Sequence, residues 1–361
     1  MRKTRRGHAV RRASVIGAGS FGTAVALLLE RAGVRTTLLC RTSEQAQRLS
    51  SERENTAYLP GVELPERLKV RVLGGRESQF HRADLVLLAV PAAGFAAALA
   101  ELTRQGVGDR TGVVSLAKGL VPPEGRPPTL ELERAFGADR VGCVGGPAHA
   151  REMVESGAGL VCASHSEQLA HRVSGVFQRA GVVCEVSNDP VGVELAGCAK
   201  NAAALAAGAT EAQGLNAAGM AAADIFAEVV ALAERSGGRA RTFLGRAGTG
   251  DLLATALAPE SRNRSAGELL ARGVPAAEIP KRLGQASEAL DTVPVLAHAI
   301  ARAGVDAPIT SALARLIDGT LPLEQWVALV RAKQPEPARF DRPAAWLTRL
   351  RGRMTRRRGT V

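Results

Sequence analysis

The apolar run Ala13-Ser14-Val15-Ile16 passes directly into Gly17-Ala18-Gly19-Ser20-Phe21-Gly22 and then into the helical pattern Thr23-Ala24-Val25-Ala26-Leu27-Leu28-Leu29. This order of strand, glycine turn and helix restricts the fold more than any other stretch. Gly17 permits a tight turn, Gly19 lets backbone approach a pyrophosphate, and Gly22 lets the helix pack closely, while the helix N-terminus offers unpaired amides to an anion. The pattern predicts a dinucleotide-binding loop. A purely structural glycine turn is the alternative.

Downstream, short β-branched or leucine runs alternate with longer amphipathic segments, the pattern of a parallel sheet with crossover helices. Strands are predicted at 13–16, 35–40, 69–73, 85–90, 112–116, 141–144, 159–163 and 182–186, with helices such as 23–32 and 167–180 between them. After Asp189 the character changes to long Ala/Leu/Glu segments, including 192–210, 221–235 and 293–303. The expected fold is α/β, with an N-terminal Rossmann-type, mostly parallel sheet and a C-terminal all-helical domain. The division reads as a basic extension (1–12), a dinucleotide-binding domain (13–188), a helical substrate and catalytic domain (189–333) and a basic tail (334–361).

With 361 residues, 46% of them hydrophobic, the chain has enough apolar material for two cores. Its net charge of +12 is concentrated at the ends: residues 1–12 carry +6 and residues 331–361 carry +8, leaving −2 for 13–330. A nearly neutral body without an aromatic stacking platform argues against a nucleic-acid partner. Five scattered cysteines (Cys40, Cys143, Cys162, Cys184 and Cys198) contain no C-x-x-C pair, so free thiols in a reducing cytoplasm are expected and no metal site is. The basic N-terminus lacks the apolar stretch of a signal peptide, and the run 85–100 is too short to span a bilayer.

Several residues carry chemistry. Arg41 follows the second strand where an NAD-specific enzyme would usually place an acid, and an arginine there could receive a 2′-phosphate. Lys118 ends the run Val113-Val114-Ser115-Leu116-Ala117 and would face the crevice at the strands' carboxyl ends. In Gly197-Cys198-Ala199-Lys200-Asn201 an ammonium stands among small residues, so burial would lower its pKa and suit it to proton exchange near neutrality. Gly145-Gly146-Pro147-Ala148-His149-Ala150 reads as a turn leading into a helix, with His149 as a packing or capping residue. Gly248-Thr249-Gly250-Asp251-Leu252 would put a carboxylate on a tight turn, and Ser261-Arg262-Asn263-Arg264 crowds anion-binding donors together.

Taken in order over residues 13–316, these stretches, with Asn55, Tyr58-Leu59-Pro60-Gly61, Gly214, Asn216 and Pro308-Ile309, resemble the bacterial NAD(P)-dependent glycerol-3-phosphate dehydrogenase family. The resemblance implies a proton-transfer role for Lys200. It also implies cofactor contacts from Ser20, Phe21, Arg41, Lys118, Ala150, Arg262, Ala286 and Glu288 to NADPH or NADH. The phosphorylated substrate would meet Lys118, Gly146, Ala148, Asp251, Ser261, Arg262 and Asn263. The reaction implied is interconversion of sn-glycerol 3-phosphate and dihydroxyacetone phosphate, feeding phospholipid synthesis.

Two departures stand out. Ala148 replaces the family's usual serine, and Ala289 replaces a glycine, which would add a methyl beside the cofactor. Competing readings are a related NADPH-dependent reductase of another hydroxy acid and a non-catalytic dinucleotide-binding paralogue. A homodimer is one candidate assembly. Trp346, Leu347, Leu350 and Met354, interleaved with arginines, could give weak peripheral membrane contact, against the alternative of a solvated basic tail.

Overall fold

The computed structural model describes residues 9–75, 80–258 and 261–332. Most of the basic N-terminal extension and the whole tail, including the segment read for membrane contact, lie outside the described residues.

Among the described residues ten strands are formed: β1 (Arg12–Ile16), β2 (Arg35–Cys40), β3 (Glu54–Asn55), β4 (Leu59–Glu63), β5 (Lys69–Val72), β6 (Leu85–Leu88), β7 (Gly112–Ser115), β8 (Val141–Gly145), β9 (Gly159–Ala163) and β10 (Val183–Ser187). Eight make one sheet in the order β10-β9-β8-β7-β6-β1-β2-β5. All four residues of β6 and of β7 are buried, because helices cover both faces; this is why β6 reads as an unbroken apolar run and β7 departs from one only at Ser115. β1 pairs in parallel with β2 on one side and β6 on the other, so the strand order reverses there and the Gly17 turn sits at the switch point.

Two features depart from the expected pattern. β9 runs antiparallel to β8, so β9 and β10 form a parallel pair reversed against the rest of the sheet. The segment between β2 and β5 also contains an unpredicted hairpin, β3 with β4, which carries Asn55 beneath the glycine turn.

After Ser187 every described element is helical. Asp189 caps the helix Pro190–Thr210, its Oδ1 accepting from Gly192 N at 2.9 Å. Ala207 is the only residue of that helix that is not buried. Small side chains allow this: a Cβ on Gly208 would lie 2.0 Å from the Arg264 carbonyl oxygen, and one on Gly267 would lie 2.1 Å from that of Leu205. The helix Arg262–Ala271 therefore crosses this central helix at backbone contact.

Two buried glutamates secure other helices. Glu194 accepts from Thr129 N and Oγ1 at the start of Pro128–Phe136, and Glu228 accepts from Ile309 N and from Thr310 N and Oγ1 at the start of Pro308–Ile317. Glu228 belongs to Leu215–Arg235, a helix long and apolar enough by length and composition to cross a membrane. Here it packs along the central helix.

Candidate active site

The glycine turn is shaped by contacts that exclude side chains on one side and leave room on the other. Gly17 has φ +107°, and a Cβ there would lie 2.4 Å from the Ala89 carbonyl oxygen. One on Gly22 would lie 1.9 Å from the Gly17 oxygen, whereas one on Gly19 would meet nothing within 4 Å. Gly17 and Gly22 are thus required by packing, and Gly19 opens onto free space. No side chain caps the following helix, Ser20–Arg31, so its first amides stand at that opening. Asn55 Nδ2 and Gln45 Nε2 each donate to the Ala18 oxygen at 3.1 Å and pin the turn from below. Arg41 is exposed just past β2. A diphosphate fits this cradle, and a cation stands at the edge where a ribose would lie.

Across the crevice, two lysines share one carboxylate. Lys118, three residues past β7, donates to Asp251 Oδ2 at 2.7 Å and to the Gly146 oxygen at 3.1 Å. Its ammonium also lies 5.9 Å from the centre of the Phe21 ring, which links the pair to the cofactor helix. Lys200 Nζ stands 3.5 Å from Asp251 Oδ1 and donates to Thr255 Oγ1 at 3.1 Å. Burial and the neighbouring Lys118 cation pull the Lys200 pKa down to about 8, against the opposing pull of Asp251 and Glu288. Burial would raise the Asp251 carboxyl, but the two lysines outweigh it and hold its pKa below the ordinary value. Apart from that 3.5 Å contact, Asp251 Oδ1 is buried without a hydrogen-bond partner, which leaves an acceptor for a substrate hydroxyl.

The predicted anion-binding run lies beside this centre. Ser261 caps Arg262–Ala271, its Oγ accepting from Arg264 N. Arg262 is exposed and reaches Gln285 Oε1 at 3.0 Å and the Ala286 oxygen at 3.5 Å. The Asn263 side chain turns inward to Asn201, Ser287 and Ala289. Glu288 is exposed at the start of Glu288–Ala303 and accepts from Asn201 Nδ2 at 3.3 Å. Gly146 has φ +103°, and Ala148 and Ala150 are half-buried beside it.

Three expectations change. Asp251 stands on the first turn of the helix Asp251–Leu257, after a π-type turn, Arg246–Gly250, rather than on a tight turn. His149 occupies the cap position of Ala150–Glu155, but its side chain caps nothing. Ala289 is fully buried in the helical core, so its methyl packs inward instead of standing beside the crevice. Thr255 was missed altogether. Its position four residues after Asp251 on one helix puts both side chains on the same face, and that spacing was the available signal.

The chain matches two family models, the NAD-dependent glycerol-3-phosphate dehydrogenase N-terminus over residues 12–170 and its C-terminus over residues 189–328. It is similar to the glycerol-3-phosphate dehydrogenase [NAD(P)+] of Deinococcus radiodurans, with 39% identity over 84% of this chain and 90% of that protein. With the Thermus thermophilus enzyme of the same name it shares 37% identity over 90% of this chain and 99% of the relative. The crystal structure of glycerol-3-phosphate dehydrogenase from Coxiella burnetii superposes with a TM-score of 0.80 at 26% identity, covering 90% of this chain and 99% of that one. A glycine turn facing a lysine pair across the crevice, together with these matches along nearly the whole length, establishes that the chain belongs to the NAD-dependent glycerol-3-phosphate dehydrogenase family.

Proposed function

We infer that this protein interconverts sn-glycerol 3-phosphate and dihydroxyacetone phosphate with NADPH or NADH, and so supplies glycerol 3-phosphate for phospholipid synthesis in the cytoplasm. The observation that carries the assignment of roles is the buried Lys200, poised near neutrality beside Asp251 and Lys118.

Gly17, Gly19, Ser20, Phe21 and Gly22 form the cradle for the dinucleotide, with Arg41 toward its ribose and Ala150, Arg262, Ala286 and Glu288 along its other side. When bound, the reduced nicotinamide supplies a hydride to the substrate's C2 carbonyl carbon. Lys200 gives its proton to the oxygen that becomes an alkoxide, and takes a proton back from the hydroxyl in the reverse direction. Asp251 holds the ammonium in place and offers Oδ1 to the substrate. Lys118 keeps that carboxylate ionised and adds the repulsion that loosens the Lys200 proton.

Substrate phosphate is held at the start of Arg262–Ala271. Ser261 spends its side chain on Arg264 N, which leaves the earlier amides of Arg262 and Asn263 for an anion, with the Arg262 guanidinium, whose Nη1 also donates to Gln285, beside them. Gly146 and Ala148 close the pocket through backbone, which lets alanine stand where the family has serine. Anchoring the phosphate fixes the approach of the reacting carbon.

Exposed Leu215 and Met220 on the helix Leu215–Arg235 support a second copy of the chain as a partner. The sequence of the basic tail supports peripheral contact with an anionic membrane. Following NADPH and NADH loss with dihydroxyacetone phosphate, and with ketopantoate as a control, tests the assignment. Oxidation driven only by the triose phosphate is expected, whereas cofactor binding without turnover would favour a non-catalytic paralogue.

A further inference from the structure

The strands β5, β2, β1, β6 and β7 begin together at the edge of the sheet opposite the glycine turn, and basic residues stand at these starts. Arg12 lies directly opposite Arg35 in the β1–β2 register, and Lys69, the first residue of β5, lies opposite Thr37. Arg35 N donates to the Arg11 oxygen and Asp84 N to the Arg12 oxygen, each at 2.9 Å, while Gly112 N donates to the Asp84 oxygen at 3.0 Å. These bonds bring Arg82, before β6, and Arg110, before β7, into the same row. Arg11, Arg12, Arg35, Lys69, Arg82 and Arg110 are exposed, and none forms an ion pair with another described residue. Like charges side by side on adjacent strands are destabilising, so the row lowers stability until an anion from outside neutralises it.

Two further cations stand half-buried beside the row. Arg140 Nη1 donates to the Gly108 oxygen at 2.9 Å, and Arg172 Nη2 donates to the Asp84 oxygen at 3.3 Å while its Nε is buried without a partner. Burial lowers the Arg172 pKa, with Asp84 opposing and the Arg110 cation adding to the fall. The acids in the same strand-start segments are Glu66, Asp84, Asp109 and Asp139, and Asp84 Oδ2 accepts from the Arg11 and Arg12 amides. Residues 13–330 carry −2 in all, so a cationic edge leaves the remainder of the body acidic and the charge is polarised. In the sequence, Arg2, Lys3, Arg5 and Arg6 come immediately before this edge and add to it.

We propose that this amino-terminal edge of the sheet is a docking surface for an anionic lipid bilayer. A negatively charged leaflet attracts clustered Lys and Arg without requiring any one contact, and arginine forks pair with lipid phosphates. None of the exposed large hydrophobic residues falls in this row, so the contact is electrostatic and without insertion. A single-stranded nucleic acid fits less well: among the described residues Tyr58 is the only exposed Phe, Tyr or Trp, and it stands in the β3–β4 turn, so the edge has no stacking platform. The glycine turn and Lys200 lie at the opposite edge, which leaves the cleft open to solvent while the protein is docked. The inference is independent of the dehydrogenase reading and of the basic tail.

Co-sedimentation of the full-length protein with phosphatidylglycerol vesicles and with phosphatidylcholine vesicles tests it. Binding to the anionic vesicles alone, reversed by added salt, is expected. Arg35→Glu with Arg110→Glu is expected to lower the partition coefficient about 10²-fold with turnover unchanged. Arg272→Glu with Arg315→Glu, the same charge change on exposed positions of the helical region, should lower it by less than about threefold. An equal fall in the two pairs would show that only net charge matters and would overturn the proposal. So would wild-type protein that ignores anionic vesicles, binding that is lost on removing residues 335–361 but untouched by the Arg35 and Arg110 changes, or single-stranded DNA bound as tightly as the vesicles and released by the same pair. If the Arg35 and Arg110 double variant does not fold, Arg35→Gln with Lys69→Gln takes its place, with a fall of about tenfold or more expected and an unchanged partition coefficient counting against the docking surface.

Discussion

Glu194 and Lys200 lie six residues apart on the same helix, and each sits at a buried carboxyl with a different fate. The Glu194 carboxyl meets only neutral donors, chiefly the amide and hydroxyl of Thr129, and burial pushes its pKa up to about 8. Asp251, opposite Lys200, is just as buried yet is held below its ordinary pKa by two ammonium groups. Depth of burial is common to both. The charge of the neighbours decides which carboxyl keeps its proton, and so one region holds a helix in place while the other can move a proton.

Breaking the charged region should have the largest effect. Lys200→Met is expected to lower turnover by about 10²-fold or more with NADPH binding preserved, and normal turnover in steady-state assays would remove the proton-transfer role. Wild-type reduction should lose rate as pH rises through about 8, where Lys200 gives up the proton it must donate, while oxidation should gain rate over the same interval. Asp251→Asn removes the shared anion, so the Lys200 pKa should fall further and the reductive limb should move to lower pH, with a loss of roughly tenfold or more at neutrality. An unmoved limb would show that Asp251 does not hold that proton.

The neutral region should respond in stability instead. Because the folded protein keeps the Glu194 proton up to about pH 8 and the unfolded chain loses it near pH 4.5, folding takes up a proton between those values. Stability from this group therefore falls as pH rises across that window, by on the order of 2–3 kcal/mol between pH 6 and pH 9. Glu194→Gln should flatten that part of the pH dependence in thermal melts with little effect on turnover. The smallest change is expected from Thr129→Ala, which removes one hydroxyl donor at a cost of about 1 kcal/mol and should shift the Glu194 step to still higher pH.

Much of this architecture was legible in the residues, for identifiable reasons. β2 and β9 fall on their predicted spans, β9 because a buried strand reads as an apolar run, and β2 because β-branched Thr36 and Thr37 lead into the apolar Leu38-Leu39-Cys40. The hairpin of β3 and β4 was not read, since one strand has two residues and the other contains Pro60. Nor does any local pattern report that β9 reverses against β8, because strand direction depends on how the short helix Ala150–Glu155 returns the chain. Burial of Lys200 followed from its glycine, alanine and cysteine neighbours. The orientation of Asn263 did not, since it is dictated by a backbone donor at Ala289, far along the chain.

All five cysteines are buried, and burial pushes their thiols up, to about 11 for Cys40 and Cys184 and well above the ordinary thiol value for Cys143, Cys162 and Cys198. A native molecule should therefore be nearly inert to alkylating reagents, which attack the thiolate. Modification then has to await opening of the surrounding structure, so labelling rates become clocks for local unfolding. Cys198, two residues from Lys200, would time the release of the catalytic helix, and the four sulfurs on strands would time the parting of the sheet.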